Sequence, residues 1–255
     1  MGKVVFVGAG PGAPDLITMR GRKLLDEADM VVYAGSLVNP ALMDGIRAEV
    51  HDSAAMSLDE MVALMAPAAK SGKLVVRLHT GDISFYSAIT EQIHRLMDEG
   101  VDVEIVPGVS SLGAGAAAIG QELTIPGITQ SVVVTRISGR TPVPESESIA
   151  SFAAHGSTMV IFLSVGMMED VARELQRGGY ASQTPVIVVE RASWPEQRLI
   201  RGTIADIAAK VKEAGITKTA LIYVGPALDA SVRKVGEESK LYDGGFTHGY
   251  RKASQ

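Results

Sequence analysis

The sequence of 255 residues contains no cysteine. A chain without cysteine cannot form a disulfide framework, a thiolate zinc site, an iron–sulfur cluster or a cysteine nucleophile. We therefore expect a protein of the cytoplasm. The five histidines show no paired spacing of the kind that binds a metal on one helix face, so we also predict no metal held by the protein itself.

Positive charge, aromatic residues and long apolar runs are scarce as well. Lys and Arg total 24 against 29 Asp and Glu, a net charge of −5, and aromatic residues make up 5%. Such a chain lacks the electrostatic field and the stacking surfaces that favour nucleic acid. The most apolar stretch, 158–168, is far shorter than the roughly 20 residues that span a bilayer. We predict neither a nucleic-acid nor a membrane partner.

Hydrophobic residues make up 46% of the chain, and their pattern predicts an α/β fold with two domains. In the first half, short β-branched runs alternate with helical segments, which indicates a largely parallel sheet. In the second half, strands 185–190 and 198–203 are joined by too few residues for a crossover helix, which indicates a mixed sheet. Pro126 and Gly127 interrupt regular structure, so we predict an N-terminal domain of residues 1–122 and a C-terminal domain of 123–255.

The pattern also predicts the individual elements. Ser57 and Glu60 form a capping-box pattern at the start of one helix, and Thr18 can cap another. The predicted strands are 3–8, 30–33, 49–51, 73–78, 102–106, 131–135, 158–163, 185–190, 198–203 and 219–225. The predicted helices are 18–29, 57–69, 84–99, 112–120, 146–155, 167–178 and 204–214.

The Gly-rich segment GAGPGAPD follows the first strand and superficially matches a dinucleotide-binding fingerprint. Pro11 and Pro14 constrain it as a loop, however, and the second strand ends in Val-Tyr-Ala-Gly without the acid that would bind a ribose. No Lys-Ser or Lys-Thr follows the glycines, as a phosphate-binding P-loop requires. A nicotinamide-dependent oxidoreductase and a P-loop nucleotidase are therefore both disfavoured.

Two further segments follow strands four and five of the predicted parallel sheet. They are Thr80-Gly81-Asp82 and PGVSS at 107–111. The carboxyl ends of parallel strands meet at one edge of a sheet, where ligands of α/β proteins bind, so the three segments should converge. Asp82 could cap a helix beginning near Ser84 or organise a ligand-binding loop, and the two serines could cap the next helix or bind a ligand.

In this order and spacing, GAGPGAPDLIT, HTGDISFY and VPGVSS resemble the loops of the tetrapyrrole methyltransferases, which move a methyl group from S-adenosylmethionine to a ring carbon. Segments of the second half are similar to the branch of that family that methylates carbon 11 of precorrin-4, or of its cobalt form, in cobalamin biosynthesis. These segments are LTIPGITQ, TRISGRTPVPE, ASWP at 192–195 and the terminal KLYDGGFTHGYR. The resemblance covers nearly the whole chain. It implies a two-domain homodimer that binds S-adenosylmethionine, releases S-adenosylhomocysteine and takes a tetrapyrrole as its substrate.

The resemblance also implies which residues contact the cofactor. They are Pro11, Thr80, Gly81, Asp82, Phe85, Ser110, Ser111, Leu163 and Ala192. The sequence departs from the usual family pattern at Ile83, where relatives have proline after Gly-Asp, so the backbone there is expected to be less constrained.

Tetrapyrrole intermediates carry acetate and propionate groups, which predicts cationic side chains beside the substrate. The candidates are Arg77, His79, Arg136, Arg191, His248 and Arg251, with Arg140 a weaker one. No His-Asp pair or second carboxylate stands out as a general base, and none is predicted.

Two other interpretations stay open. One is a sister methyltransferase that acts at a different ring carbon, for example on uroporphyrinogen III. The other is a non-catalytic binder of a tetrapyrrole or nucleotide, although a sensor of that kind would carry an output module that two filled domains leave no room for.

Overall fold

The computed structural model describes residues 2–35, 37–229, 239 and 243–252. It consists of two compact units, one of residues 1–114 with 191–197 and one of residues 115–190 with 198–255. This division falls after residue 114, whereas the sequence predicts a boundary after residue 122. A single boundary in the sequence also cannot assign a distant segment to the first domain. Residues 191–197 belong to the first unit because of contacts that form only when the chain folds.

The first unit contains a five-stranded sheet in the order β3-β2-β4-β1-β5, and every pairing between neighbours is parallel. The three central strands, β2, β4 and β1, are buried on both faces, which explains why they are apolar without alternation. Val4 and Phe6 pack on one face with Leu96, and Val5 and Val7 pack on the other with Leu25. The strands are β1 Lys3–Gly8, β2 Met30–Tyr33, β3 Glu49–Asp52, β4 Leu74–His79 and β5 Asp102–Val106.

Three helices cover this sheet, α1 Met19–Glu27, α2 Leu58–Lys70 and α3 Thr90–Asp98. The predicted caps are confirmed, since the Thr18 side chain accepts from Gly21 N–H and Ser57 with Glu60 forms the capping box. The prediction for α3 is wrong at its start. Residues 83–86 form turns and residues 87–89 have no regular structure. Tyr86 at φ 55° and Ala88 at φ 49° are left-handed, and a helix cannot continue through such residues.

Helix α4, Ser111–Ile119, consists mostly of glycine and alanine. Its small residues allow close packing, because an ideal Cβ built at Gly115 would overlap the Tyr223 ring and hydroxyl. The Tyr223 side chain is fully buried, and this burial raises the pKa of its phenol despite a hydrogen bond with the Ala116 backbone.

The second unit contains a mixed sheet in the order β6-β7-β10-β8-β9, in which only β6 and β7 pair in parallel. The predicted hairpin between β8 and β9 is confirmed by their antiparallel register. One face of this sheet packs its core residues, such as Ile161, Val188 and Ile222, with three helices. The strands are β6 Val132–Arg136, β7 Thr158–Phe162, β8 Pro185–Glu190, β9 Arg198–Thr203 and β10 Ala220–Val224, and the helices are α5 Ile149–Ala153, α6 Met168–Arg177 and α7 Ile207–Glu213.

Among all the helices in the described part of the chain, none combines the length and the apolar composition needed to cross a membrane.

Candidate functional site

Three loops meet at the carboxyl edge of the parallel sheet, as the sequence predicts. The first loop is residues 9–13 after β1, the second loop is 80–82 after β4 and the third loop is 107–110 after β5. The first and second loops pair through their backbones, since Gly81 N–H donates to Gly10 O over 2.7 Å and Gly10 N–H donates to Gly81 O over 3.2 Å. Both glycines have positive φ, 81° at Gly10 and 64° at Gly81, which side chains disfavour.

Asp82 joins the second loop to the third. One carboxylate oxygen accepts from the backbone N–H of Ser84 at 2.9 Å, and the other accepts from the N–H of Gly108 at 2.8 Å. Burial acts to raise the pKa of Asp82, but a hydrogen bond from the Ser84 side chain, together with these two backbone hydrogen bonds, outweighs it and the pKa lies below its ordinary value. The prediction that Asp82 caps a helix near Ser84 is wrong, because α3 begins only at Thr90. Its carboxylate joins two loops instead, and its part in a ligand-binding loop stays a prediction.

Glycine lets these loops approach one another closely. A Cβ at Gly8 would lie 2.6 Å from Gly108 Cα and 2.7 Å from Gly81 O, and a Cβ at Gly108 would overlap Gly81 O. At Gly81 itself, the nearest atom to a built Cβ is Ser111 N at 3.6 Å. The backbones of the three loops therefore lie in close contact at this edge of the sheet. The side of Gly81 where a Cβ would stand faces the start of α4.

The remaining predicted residues of this edge take distinct positions. The Ser110 hydroxyl accepts from Leu112 N–H at 3.2 Å, so its capping role at α4 is confirmed. Pro11 is buried in the first loop, Thr80 and Ser111 are half-buried, and Phe85 is 38% exposed in the turn after Asp82. Ile83 is buried in the apolar core of the first unit.

A fourth segment contacts the first loop. The sequence interpretation predicted a hairpin here, with Arg191 and Ala192 as site residues, but it missed the contacts made by Ser193 and Trp194. The hairpin loop, residues 191–197 between β8 and β9, belongs to the first unit. Trp194 Nε1–H donates to Pro11 O at 3.0 Å, and the Ser193 hydroxyl accepts from Ala13 N–H at 3.0 Å. Ala192, a predicted cofactor residue, is buried within the same loop. Each of these two contacts joins residues about 180 positions apart, so no local sequence pattern could predict them.

Asn39 is a second residue that the sequence interpretation missed. Its side-chain amide donates to Gly12 O at 2.8 Å and so supports the first loop from the side of β2. Its Oδ1 accepts from Ala41 N–H at 3.0 Å, which holds the amide in place. An Asn before a proline is a common turn signal, and it could have suggested a local cap but not this contact.

The position of Arg77 disagrees with the predicted contact to a substrate carboxylate. The side chain is only 4% exposed, and its guanidinium donates to Gln92 Oε1 at 3.0 Å, Ser53 Oγ at 2.9 Å and Val32 O at 3.2 Å. Burial lowers the pKa of Arg77 to about 10, which still leaves it charged at neutral pH. The N–H groups of its guanidinium therefore donate to acceptors inside the first unit.

The position of His79 likewise disagrees with a role as a cation. The side chain is 6% exposed and stacks on Phe6 with 6.0 Å between ring centroids. Burial, and then the nearby charge of Arg77, lower the pKa of His79 to about 3. A neutral imidazole at this position cannot offer a positive charge to a carboxylate.

Arg191 is exposed, and its guanidinium lies 3.8 Å from the Glu196 carboxylate within the hairpin loop. A pair at that distance on the surface is weak, so the guanidinium is accessible, and the predicted contact of Arg191 with a substrate carboxylate stays a prediction.

The other predicted residues belong to the second unit. Leu163 follows β7 with φ 52° and is 67% exposed. The Arg136 guanidinium donates to Thr141 O at 3.1 Å and to Pro142 O at 2.8 Å, so it organises the loop after β6. Arg140 in that loop is exposed.

The terminal segment is folded into a tight turn around its last described residues. His248 N–H donates to Arg251 O at 2.8 Å, and Arg251 N–H donates to His248 O at 3.1 Å. The Arg251 guanidinium also donates to Asp243 O at 2.5 Å. Residues 240–242 of the same segment lie outside the described residues. Within the described ranges, no three His, Asp or Glu side chains form a group that could hold a metal ion.

Two relatives match almost the full length of the chain. A cobalt-precorrin-4 C(11)-methyltransferase of Methanocaldococcus jannaschii is 53% identical over 253 residues, which is 98% of this chain and 96% of the relative. A precorrin-4 C(11)-methyltransferase of a Sinorhizobium species is 48% identical over 251 residues, 97% of this chain and 98% of the relative.

Solved structures agree with this similarity. The X-ray structure of a cobalamin biosynthetic enzyme, cobalt precorrin-4 methyltransferase, is 48% identical with a TM-score of 0.87, covering 89% of this chain and 96% of the other. Uroporphyrin-III C-methyl transferase from Thermus thermophilus, complexed with S-adenosyl homocysteine, is 30% identical with a TM-score of 0.75, covering 89% of this chain and 99% of the other. The family model of the tetrapyrrole (corrin/porphyrin) methylases matches residues 3–208. The chain therefore belongs to the tetrapyrrole methylase family.

Proposed function

We propose that this chain is an S-adenosylmethionine-dependent methyltransferase that methylates carbon 11 of precorrin-4 to give precorrin-5 in cobalamin biosynthesis. The observation that carries the proposal is the meeting of the first, second and third loops at one sheet edge, joined by Gly10, Gly81 and the Asp82–Gly108 hydrogen bond. Full-length similarity to two C(11)-methyltransferases supports the reaction class and the ring position.

Glycines bring the three loops together at the sheet edge. Backbone atoms of Gly8, Gly81 and Gly108 lie so close together that a Cβ at Gly8 or Gly108 would overlap a neighbouring loop. A uroporphyrin-III C-methyl transferase of the same family is known in complex with S-adenosyl homocysteine, which supports the same cofactor here. The residues that would hold it are Pro11, Thr80, Gly81, Asp82, Phe85, Ser110, Ser111, Leu163 and Ala192.

When S-adenosylmethionine is bound, it supplies an electrophilic methyl group for attack by a ring carbon of the tetrapyrrole. The contribution of the protein is then chiefly orientation, because the two reacting atoms must be held about 3–3.5 Å apart and in line. Asp82 serves this end by fixing the second loop against the third. We assign no residue as a general base.

Fewer cationic side chains are available to bind the substrate carboxylates than the sequence predicts. Arg191 offers an exposed guanidinium in the first unit. In the second unit, Arg136, His248 and Arg251 remain the candidates, although the Arg136 guanidinium also serves its own loop. Arg77 and His79 are not part of the proposed substrate site, because both are buried and one is neutral.

The first experiment tests the cofactor. Isothermal calorimetry of the purified protein with S-adenosylhomocysteine should give saturable binding, whereas NAD and ATP should give none. Binding of NAD or ATP in place of S-adenosylhomocysteine would contradict the methyltransferase assignment. Binding without methyl transfer to any tetrapyrrole would favour the non-catalytic binder.

The second experiment tests the substrate. The protein is incubated with S-adenosylmethionine and, in parallel, precorrin-4, cobalt-precorrin-4 or uroporphyrinogen III. Mass spectrometry detects methylation, and NMR with a 13C-labelled methyl donor assigns the ring carbon. We expect a new methyl group on carbon 11 of precorrin-4. Preference for the cobalt form would assign the protein to the cobalt version of the reaction, and methylation of uroporphyrinogen III alone would make it a sister enzyme.

We also propose that the protein is a cytoplasmic homodimer. The family resemblance supports the dimer, and the absence of cysteine fits a reducing compartment. Light scattering coupled to size exclusion should give twice the mass of one chain.

A further inference from the structure

The hairpin loop is attached to the first loop by its side chains. The Trp194 indole N–H donates to Pro11 O at 3.0 Å, and the Ser193 hydroxyl accepts from Ala13 N–H at 3.0 Å. Between these two points, the indole ring occupies the space that a side chain at Gly12 would need. Three consecutive residues of the first loop therefore contact two consecutive residues of the hairpin loop.

The hairpin loop is itself held in one conformation. Arg191 at φ 47° and Ser193 at φ 69° adopt the left-handed region, which residues with side chains rarely enter unless their surroundings impose it. Ser193 N–H donates to the Gln197 side chain at 2.8 Å, and Trp194 N–H donates to Arg191 O at 2.9 Å. These bonds close the turn that carries the indole.

The contact made by Trp194 differs from ordinary core packing. The indole is half-buried and is absent from the apolar core clusters of both units as far as the structure describes them. It contacts the backbone of the first loop at Pro11 and Gly12, and Pro11 is itself assigned to the proposed cofactor site. Loss of the indole should thus change the shape of that loop more than the stability of the sheet.

We propose that Trp194 is a positioning residue, which holds the first loop in the conformation that binds S-adenosylmethionine and thereby sets the affinity for this cofactor. This inference rests on the proposed function. Ser193 acts in the same way through Ala13. Because Trp194 is the only tryptophan of the chain, its fluorescence reports directly on the first loop.

The test combines calorimetry, kinetics and fluorescence. Trp194→Phe keeps a flat ring over Gly12 but removes the indole N–H donor. Loss of one hydrogen bond to a ligand-binding loop should weaken S-adenosylhomocysteine binding about 5-fold. The KM for S-adenosylmethionine should rise by a similar factor while kcat changes less than 2-fold, since the donor binds a loop and not a reacting atom.

Two control variants separate positioning from stability. Val62→Ala removes buried apolar volume from α2, away from the loops, and lowers the thermal midpoint without changing cofactor affinity. In the wild type, tryptophan emission should change on titration with S-adenosylhomocysteine, with the midpoint found by calorimetry. In a Trp194→Phe, Met97→Trp double variant, with the new indole at the exposed end of α3, emission should not change.

The outcomes distinguish two failures. If the wild type does not bind S-adenosylhomocysteine by calorimetry, the proposed function is wrong. If the wild type binds it, but Trp194 emission stays constant or Trp194→Phe binds as tightly as the wild type, the positioning role is wrong and the proposed function stands.

Discussion

The Asp82 carboxylate accepts a hydrogen bond from the Gly108 backbone N–H at 2.8 Å and so ties the end of β4 to the end of β5. Its other oxygen accepts from Ser84 N–H, so a single side chain organises two consecutive loops of the proposed cofactor site. A carboxylate that accepts two backbone donors stays ionised at neutral pH, and it acts here through geometry and not through proton transfer.

Replacement of Asp82 should therefore weaken the cofactor site without unfolding the protein. We expect Asp82→Ala to reduce S-adenosylhomocysteine affinity by about 10-fold or more, since hydrogen bonds to a charged group contribute about 1.5–3 kcal/mol. Calorimetry measures the affinity, and thermal unfolding checks the fold. Asp98→Asn, an exposed Asp at the end of α3, is the matched control and should bind as the wild type does. Unchanged affinity in Asp82→Ala would contradict the role of this carboxylate.

The pH dependence of the Asp82 effect follows from the sign of its shift. In the folded protein the pKa of Asp82 lies below its ordinary value. The stability that the ionised carboxylate contributes is therefore fully present at pH values above the ordinary pKa, and it is lost as the pH falls through the folded pKa. The difference in affinity between wild type and Asp82→Ala should thus be constant across neutral and mildly alkaline pH. Calorimetric titrations in that range measure it, and a difference that vanishes near neutrality would show that the pKa is not lowered.

His79 should make stability depend on pH in mildly acidic solution. Its pKa falls from 6.5 to about 3 on folding, so below pH 6.5 the unfolded chain binds a proton that the folded chain does not. Stability is therefore lost as the pH drops from 6.5 toward 3, by at most about 1.4 kcal/mol per pH unit. In His79→Phe, which keeps a ring on Phe6, this part of the slope should disappear. Urea unfolding at several pH values measures it, with the exposed His155→Gln as control. Equal slopes in wild type and His79→Phe would show that His79 is not held neutral.

Two glycines of α4 should respond in opposite ways to alanine. A Cβ at Gly113 meets nothing within 4 Å, so Gly113→Ala should gain the helix preference of about 0.5–1 kcal/mol. A Cβ at Gly115 would overlap Tyr223, so Gly115→Ala should lower stability by about 1–3 kcal/mol despite the same preference. Thermal unfolding of both variants checks the pair, and a stabilised Gly115→Ala would mean that α4 does not pack on Tyr223.

Arg77 should prove structural. Arg77→Met leaves Gln92, Ser53 and Val32 O without their donor, and each unpaired buried group costs about 1–3 kcal/mol. We expect a loss of about 3 kcal/mol in the free energy of unfolding, measured in urea. At a temperature where the variant is folded, the KM for the tetrapyrrole should be unchanged. A rise in this KM with little loss of stability would instead restore Arg77 to the substrate site. Arg95→Met, on the exposed face of α3, is the control for loss of an arginine.

Much of the fold could be predicted because local signals agreed with the final structure. The β-branched runs that become β1 and β10, and the caps at Thr18 and Ser57, depend on neighbours within a few residues. The predicted start of α3 was wrong because a contact distant in sequence overrode the local signal. Asp82 resembles a helix cap in sequence, but a donor 26 positions away, Gly108 N–H, takes one of its oxygens.

What the sequence by itself determined was the alternation of strands and helices, the meeting of three loops at one sheet edge and the resemblance to the family, because these depend on order and spacing along the chain. Only the tertiary structure decided which cationic side chains are exposed and so able to contact a ligand. Arg77 and His79 stand at the end of a strand like Arg191, yet burial removes them from any ligand, since solvent exposure depends on what packs above a strand. It also brought Trp194 onto Pro11, a contact between residues 183 positions apart that no local pattern encodes.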